Sequence, residues 1–408
     1  MICIYDKIKN KIKFKNKKYV TLDVVFKVTI YLTLLICSCS LNSNNIYATS
    51  VDLGEEVIDE ISESLELNDF ISIIDETIES SGFNDIITTR DLSKGVYITP
   101  DTLFGKLIKL LFSQLYEAIA SNISILVIII VISILKTFEL EKSSDIIKIA
   151  NFVLYIAIST ILLKSFSDIL IYFKDTLNNV SLIMQIASPF LMGVLVVTGG
   201  VTAAGLIQPL ILFAVSAISF LINIVVVPLI IIAVAFSTVH SLNEKLGLLK
   251  LSKFFLNTSL WTVGVMLTIF LGIMSLETTI ASSVDSLAVK ATSSAVSNFV
   301  PVVGKFFSDS FETVVGASKV VGNIGGTLGI IGVFLIAVVP VIKLVSISIV
   351  YSLFSALAEP LCLESKVTTV IGNFSNIYKV MLGIIIGVSV LFIISIAIIM
   401  NILSSIVS

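Results

Sequence analysis

The chain has 408 residues, of which 56% are hydrophobic and 13% are charged, and its mean hydropathy is +1.06. A soluble globular domain carries about 25% charged residues, so this composition excludes an ordinary water-soluble protein. The formal net charge of −3 conceals three regions, which are a short basic head, a short acidic segment and a long charge-poor body.

Residues 1–48 have the pattern of a signal peptide. Eight lysines within residues 1–27 precede an apolar run over residues 28–39, which is too short to cross a bilayer well. Ala48 offers a small residue at a cleavage site. An uncleaved signal anchor and a lipoprotein signal are the alternatives. If the peptide is cleaved, the basic head is a targeting feature, and we expect no nucleic-acid binding.

Residues 49–110 are predicted to form an acidic helical segment outside the cytoplasm. Residues 51–101 contain fourteen Asp and Glu against only Arg90 and Lys94. Apolar residues recur at helical spacing through residues 51–80. So few large apolar groups bury little core on their own. The segment therefore either packs on a partner or on the membrane body, or presents a solvated acidic face.

Residues 111–276 are predicted to form a transmembrane bundle with helices that Gly and Pro interrupt. No Asp, Glu, Lys or Arg occurs from Thr176 to Asn243, which allows about three crossings of a ~30 Å hydrocarbon core. The breaks are expected near Gly199-Gly200 and near Asn223. Further apolar runs lie at residues 115–135, 149–173, 254–276, 328–357 and 380–403.

The whole chain is thus expected to be an all-α polytopic membrane protein of about seven to eight spans. Lysines in short loops mark the cytoplasmic side. Two such clusters must lie on the same side, with an even number of crossings between them. The clusters are Lys136, Lys142 and Lys148, and Lys245, Lys250 and Lys253.

Residues 277–325 differ from the rest of the body because they are rich in Ser, Thr, Val and Gly. Apolar residues share one helical face on each side of Pro301 and Gly304. This pattern indicates either an amphipathic helix pair at the membrane interface or a re-entrant pair that lines a cavity. Residues 326–408 then form the C-terminal transmembrane helices.

Several residues inside the apolar runs are candidates for a gate or a conduit. Pro and Gly interrupt helices, and discontinuous helices form binding sites in transporters, although kinked packing is the alternative. Lys343 is an intramembrane charge, or else a snorkelling or turn lysine, in which case residues 328–357 form a hairpin. Gly383 and Gly387 permit close helix packing. The interrupting candidates are Gly199, Gly200, Gln208, Pro209, Asn223 and Pro228.

The sequence offers little for catalysis. The chain has one His and four Cys, and we find no phosphate-binding loop, zinc-helix motif or nucleophile elbow. We therefore expect no catalytic residue, no metal site and no cofactor. Three hypotheses remain, which are a conduit or platform subunit, an autonomous secondary transporter with a midplane site near Gly199-Gly200 and Asn223, and, least supported, a membrane enzyme.

One stretch makes the sequence recognisable. Residues 298–309, Asn-Phe-Val-Pro-Val-Val-Gly-Lys-Phe-Phe-Ser-Asp, closely resemble the stage III sporulation protein AE family. Ser188-Pro189, Gly199-Gly200, Gln208-Pro209 and Pro228-Leu229 agree in order. The resemblance covers roughly residues 100–408. It adds Asn298, Pro301, Gly304 and Asp309 to the candidate gate or conduit residues.

The resemblance implies a role in endospore formation. It implies the polytopic subunit of a channel or feeding apparatus that other stage III sporulation A-series proteins build in the mother-cell membrane. That apparatus joins the forespore's stage II sporulation protein Q across the intermembrane space, and it supports forespore maintenance and late gene expression. No catalytic residues are known for the family. A homo-oligomer is left open.

Overall fold

A computed structural model gives the fold of the chain. The predicted signal peptide and most of the predicted acidic segment lie outside the described residues. The described part is all helix and short turns without a strand, so the predicted all-α class is confirmed. The described residues are 72, 100–139, 145–242, 246–299, 303–362 and 365–407.

Seven α-helices make up this described part. Long charge-poor runs form helices because a bilayer leaves backbone amides no partner outside their own segment. A π-helical segment, Ile222–Val226, joins the third helix to the fourth without a break. The helices are α1 Pro100–Glu139, α2 Asp145–Val197, α3 Val201–Leu221, α4 Val227–Leu242, α5 Leu249–Phe299, α6 Val303–Cys362 and α7 Ser365–Val407.

Six candidate membrane spans occur among the described residues, rather than seven to eight. The difference arises because α2 continues through Lys174 and Asp175, and because α3, the π segment and α4 form one rod. A charged side chain does not end a helix when the backbone hydrogen bonds continue past it. The spans are Leu107–Leu135, Phe152–Val197, Val201–His240, Leu249–Met274, Val320–Leu361 and Val367–Leu403.

The break at Gly199-Gly200 does occur, and its cause is local. Gly199 has φ +92°, a left-handed conformation that glycine adopts without steric cost. The Gly200 amide donates to the Leu195 carbonyl at 2.8 Å, and the Gly199 amide donates to the Val196 carbonyl at 3.0 Å. These two bonds make a Schellman motif, which ends α2.

The helices pack as an antiparallel bundle. The most extensive pairing joins α6 to α7. Helix α6 also packs on α1 and α2, while α5 packs on α3, α4 and α7. Helices α5 and α6 run without interruption through residues 276 and 325, so residues 277–299 and 303–325 are the adjoining ends of two long helices.

Candidate functional site

The other expected interruptions do not break the chain. Pro209 lies exposed inside α3, and Gln208 is half-buried beside it. Because its ring faces away from neighbouring helices, Pro209 costs one backbone bond but leaves the helix continuous. The prediction of discontinuous helices at Gln208-Pro209 is therefore wrong, and a transporter-like pair of broken helices is not formed there.

Asn223 and Pro228 mark a change of helix type instead of a break. The Val227 amide bonds to the Ile222 carbonyl, five residues back, and the widened turn ends immediately before Pro228, which has no amide to donate. The Asn223 side-chain amide donates to the Ser219 carbonyl at 2.9 Å. The predicted division near Asn223 is therefore wrong, since the bonding continues around the proline.

Lys343 lies within the uninterrupted α6, so the predicted hairpin turn at this residue is wrong. Its side chain is half-buried, and its Nζ lies 4.6 Å from the ring centroid of Tyr172 in α2. A cation above an aromatic face is stabilised by the ring quadrupole. Glu117 of α1 lies within electrostatic reach of the same tyrosine. Three helices thus bring charge or aromatic groups together here.

The family-like stretch lies where α5 ends and α6 begins. Asn298 is in the last turn of α5, while Gly304 and Asp309 are in the first turns of α6. Pro301 lies outside the described residues. These four candidates are therefore close in sequence, at the connection between α5 and α6. Lys343 lies much further along α6.

Small residues allow close packing between helices at two places. A Cβ on Gly383 or Gly387 of α7 would approach Leu260 or Leu267 of α5 to 3.3 or 3.2 Å. On α6, a Cβ on Gly325 would overlap the Phe190 ring of α2. The contact at Gly325 is the tighter of the two.

Sequence reasoning missed a hydrogen-bonded cluster inside the bundle. The Tyr351 hydroxyl of α6 donates to Asn122 Oδ1 of α1 at 2.8 Å. The Tyr351 ring meets the Tyr378 ring of α7 edge to face, with centroids 5.5 Å apart. Ser165 of α2 lies beside both tyrosine hydroxyls. Four helices therefore contribute to one buried cluster, which we call the polar layer.

Serines extend the polar layer between α6 and α7. The Ser375 hydroxyl donates to the Ser348 carbonyl at 2.8 Å and lies 2.8 Å from the Ser352 hydroxyl. Lys379 Nζ donates to Ser352 Oγ at 3.4 Å. Interhelical bonds of this kind hold helices together where the hydrophobic effect cannot.

No local motif could have revealed the polar layer. Asn122 and Tyr351 are 229 residues apart, and each lies alone in an apolar run. The available signal is weak, namely that Asn, Tyr and Ser recur at the middle of several spans. Among the described residues, no three His, Cys, Asp or Glu side chains come together as a metal site would require.

An open apolar groove lies between α3 and α5. Its volume is about 790 Å³. Its wall includes Phe213 of α3 and Trp261 of α5, which are 71% and 72% exposed. These large exposed rings fit a lipid-facing surface, whereas in water they would form an unfavourable patch.

The fold and its interior define a polytopic α-helical membrane protein with a polar layer. The profile described as stage III sporulation protein AE matches residues 83–402, and the chain belongs to this family. Stage III sporulation protein AE of Bacillus subtilis (strain 168) is 29% identical over 259 residues, which are 62% of this chain and 65% of the relative. The chain is thus matched to about two thirds of that relative's length. No solved structure matches.

Proposed function

We propose that this protein is an integral membrane subunit of the sporulation channel that links mother cell and forespore. Its family membership over residues 83–402 carries the proposal. The matched region includes all six candidate membrane spans almost completely. The protein would act without catalysis, either as part of the conduit or as an assembly platform, in support of forespore maintenance and late forespore gene expression.

We further propose that the protein lies in the mother-cell membrane around the forespore, with its acidic segment in the intermembrane space. The antiparallel arrangement of α2 with α3 and α4 supports this topology. It brings the start of α2, after Lys142, and the end of α4, before Lys245, to the same end of the bundle. Lysine-rich loops favour the cytoplasmic side.

The proposed partners are the other stage III sporulation A-series proteins and stage II sporulation protein Q. The acidic segment and the connection between α5 and α6 would meet them. In an alternating topology this connection lies on the same side as residue 100, since four crossings separate them, namely α1, α2, the rod of α3 and α4, and α5. Asn298, Pro301, Gly304 and Asp309 are then the proposed gate residues, and Gly199-Gly200 lies at the same end.

Replacement of Gly304 by Leu tests the proposed role of this connection. We expect the variant to insert normally and to reduce heat-resistant spores by at least about tenfold, with loss of co-purifying A-series partners. The matched control is Gly264→Leu in α5, where an added Cβ meets nothing within 4 Å. Normal sporulation by an inserted Gly304→Leu protein would contradict a gating or docking role for the connection.

A further inference from the structure

The exposed side of α2 changes character along the helix. It is apolar at Ile149, Phe152 and Ile156, and beyond them it becomes mostly polar, with Ile171 exposed among the polar residues. The polar part falls within about 100° of the helical wheel and extends for about 27 Å along the axis. Its residues, which we call the α2 polar face, are Thr160, Lys164, Ser167, Asp168, Asp175 and Asn178.

Two hydrogen bonds fix the level of this face against the neighbouring rod of α3 and α4. The Ser219 hydroxyl of α3 donates to Ser181 Oγ of α2 at 3.4 Å. The Tyr155 hydroxyl of α2 donates to the Thr238 carbonyl of α4 at 3.4 Å. These two bonds place Ser181 of α2 level with Ser219, and Tyr155 of α2 level with Thr238, on either side of the π segment.

The two adjacent surfaces at this level have opposite chemistry. Residues 219–238 contain no charged side chain, and they expose Phe220, Ile224 and Ile231. Such a surface belongs in contact with lipid. The α2 polar face, at the same depth, would be costly there, because charged side chains within a bilayer face a protein interior or a water-filled space.

We propose that the α2 polar face borders a water-filled passage through the membrane. This inference rests on the proposed function and favours the conduit over the platform. The passage is incomplete within one chain, because Lys164 and Asp168 are exposed on its outside. Neighbouring subunits of the assembly, including further copies of this chain, close the opposite wall.

The composition of the face indicates what such a passage admits. One ammonium and two carboxylates alternate with hydroxyl and amide groups over its length, and the exposed Ile171 lies among them. Because both signs of charge are present, the face suits small hydrated solutes that carry hydrogen-bonding groups, and it does not select strongly for one sign of charge.

Single cysteines on the two surfaces test the proposal. The background lacks Cys3, Cys37, Cys39 and Cys362, and the intact complex in sporulating-cell membranes reacts with a charged, water-soluble maleimide. Ser167→Cys is placed on the polar face, and Ile231→Cys, on the exposed apolar surface near the same level, is its control. We expect Ser167→Cys to react at least about tenfold faster, since only a hydrated thiol ionises readily.

Equal, slow labelling at both positions would overturn the proposal. So would disulfide-linked pairs of this chain through Ser167→Cys without maleimide labelling, because the face would then be a dry contact between two copies. Asn178→Cys repeats the measurement near the other end of the face. Spore formation and partner co-purification are scored separately, so a platform without a passage would still form spores and bind partners while Ser167→Cys stays unlabelled.

Discussion

Two parts of the bundle differ in how deeply their helices are buried and in how their hydroxyl groups are hydrogen-bonded. In an 18-residue apolar stretch of each span, 61% and 67% of the residues are buried in α6 and α7, against 22% in both α1 and α5. The buried pair combines glycines at helix contacts with hydroxyl bonds between helices. The exposed helices combine large apolar side chains with hydroxyls that bond to their own backbone, as at Thr258 and Thr268. Ser252 near the start of α5 is an exception, because its hydroxyl donates to the Ala233 carbonyl of α4 at 2.7 Å.

The difference teaches that a serine or threonine has two roles in this protein. At the exposed Thr258 and Thr268 of α5 the hydroxyl donates to the carbonyl four residues earlier, so it presents no unpaired donor to lipid. On α7 the Ser375 hydroxyl reaches the Ser348 carbonyl of another helix. We therefore expect loss of the interhelical Ser375 hydroxyl to weaken the bundle, and loss of the Thr258 or Thr268 hydroxyl to leave it intact.

The largest expected effect is at Gly325. In Gly325→Ala the new methyl would overlap the Phe190 ring, and overpacking of this kind costs about 1–3 kcal/mol. Thermal unfolding of purified protein in detergent measures the loss. Gly264→Ala on α5 is the control, since nothing lies within 4 Å of its Cβ position.

A second variant separates overpacking from a general defect of the fold. Phe190→Leu removes the ring that the methyl would strike. We expect the double variant Gly325→Ala with Phe190→Leu to be more stable than the sum of the single losses indicates. Additive losses would show that the glycine acts through something other than this contact.

The next effect is expected from Tyr351→Phe. Loss of the hydroxyl leaves Asn122 Oδ1 buried without its interhelical partner, and such bonds contribute about 0.6–1.7 kcal/mol in membrane proteins. Thermal unfolding of Tyr351→Phe is compared with that of Tyr116→Phe, whose parent side chain is 77% exposed. If both variants lose the same stability, the polar layer does not hold α1 to α6.

How far the sequence predicts the fold depends on the kind of residue. Helix type and the break at Gly199-Gly200 follow from composition and from glycine's access to positive φ, and both are local properties. The continuity of the helix at Asn223 does not follow from local residue types. A π turn before Pro228 keeps the backbone hydrogen bonding continuous where an α-turn would lose a bond. Counting every Gly, Pro or Asn as a helix end therefore overestimates the number of membrane spans.

The site is harder to predict than the fold for a physical reason. Lys343 is visible in the sequence as an isolated charge, but its position over Tyr172 depends on how α2 packs on α6. The polar layer depends on the same packing, since Asn122, Tyr351 and Tyr378 come from three helices. A single sequence contains the residues of such a layer but not their juxtaposition.

A smaller effect is expected from Ser375→Ala. Its hydroxyl bonds to Ser348 and lies beside Ser352, but those two serines can turn to carbonyls of their own helix. We therefore expect a loss near 0.6 kcal/mol, measured by thermal unfolding. Thr268→Ala on α5 should change stability less, and a larger loss at Thr268 would reverse the contrast between the two parts.

The last prediction leaves the protein unchanged and uses the fluorescence of its single tryptophan, Trp261. Because this ring is 72% exposed in the apolar groove, lipids with brominated acyl chains should quench its fluorescence in vesicles, whereas aqueous acrylamide should quench it weakly. Phe354→Trp with Trp261→Phe is the control, since Phe354 is 1% exposed and its replacement should resist both quenchers. Stronger quenching of Trp261 by acrylamide would mean that the α3–α5 surface faces water, which would remove the lipid-facing reference against which the α2 polar face is assigned.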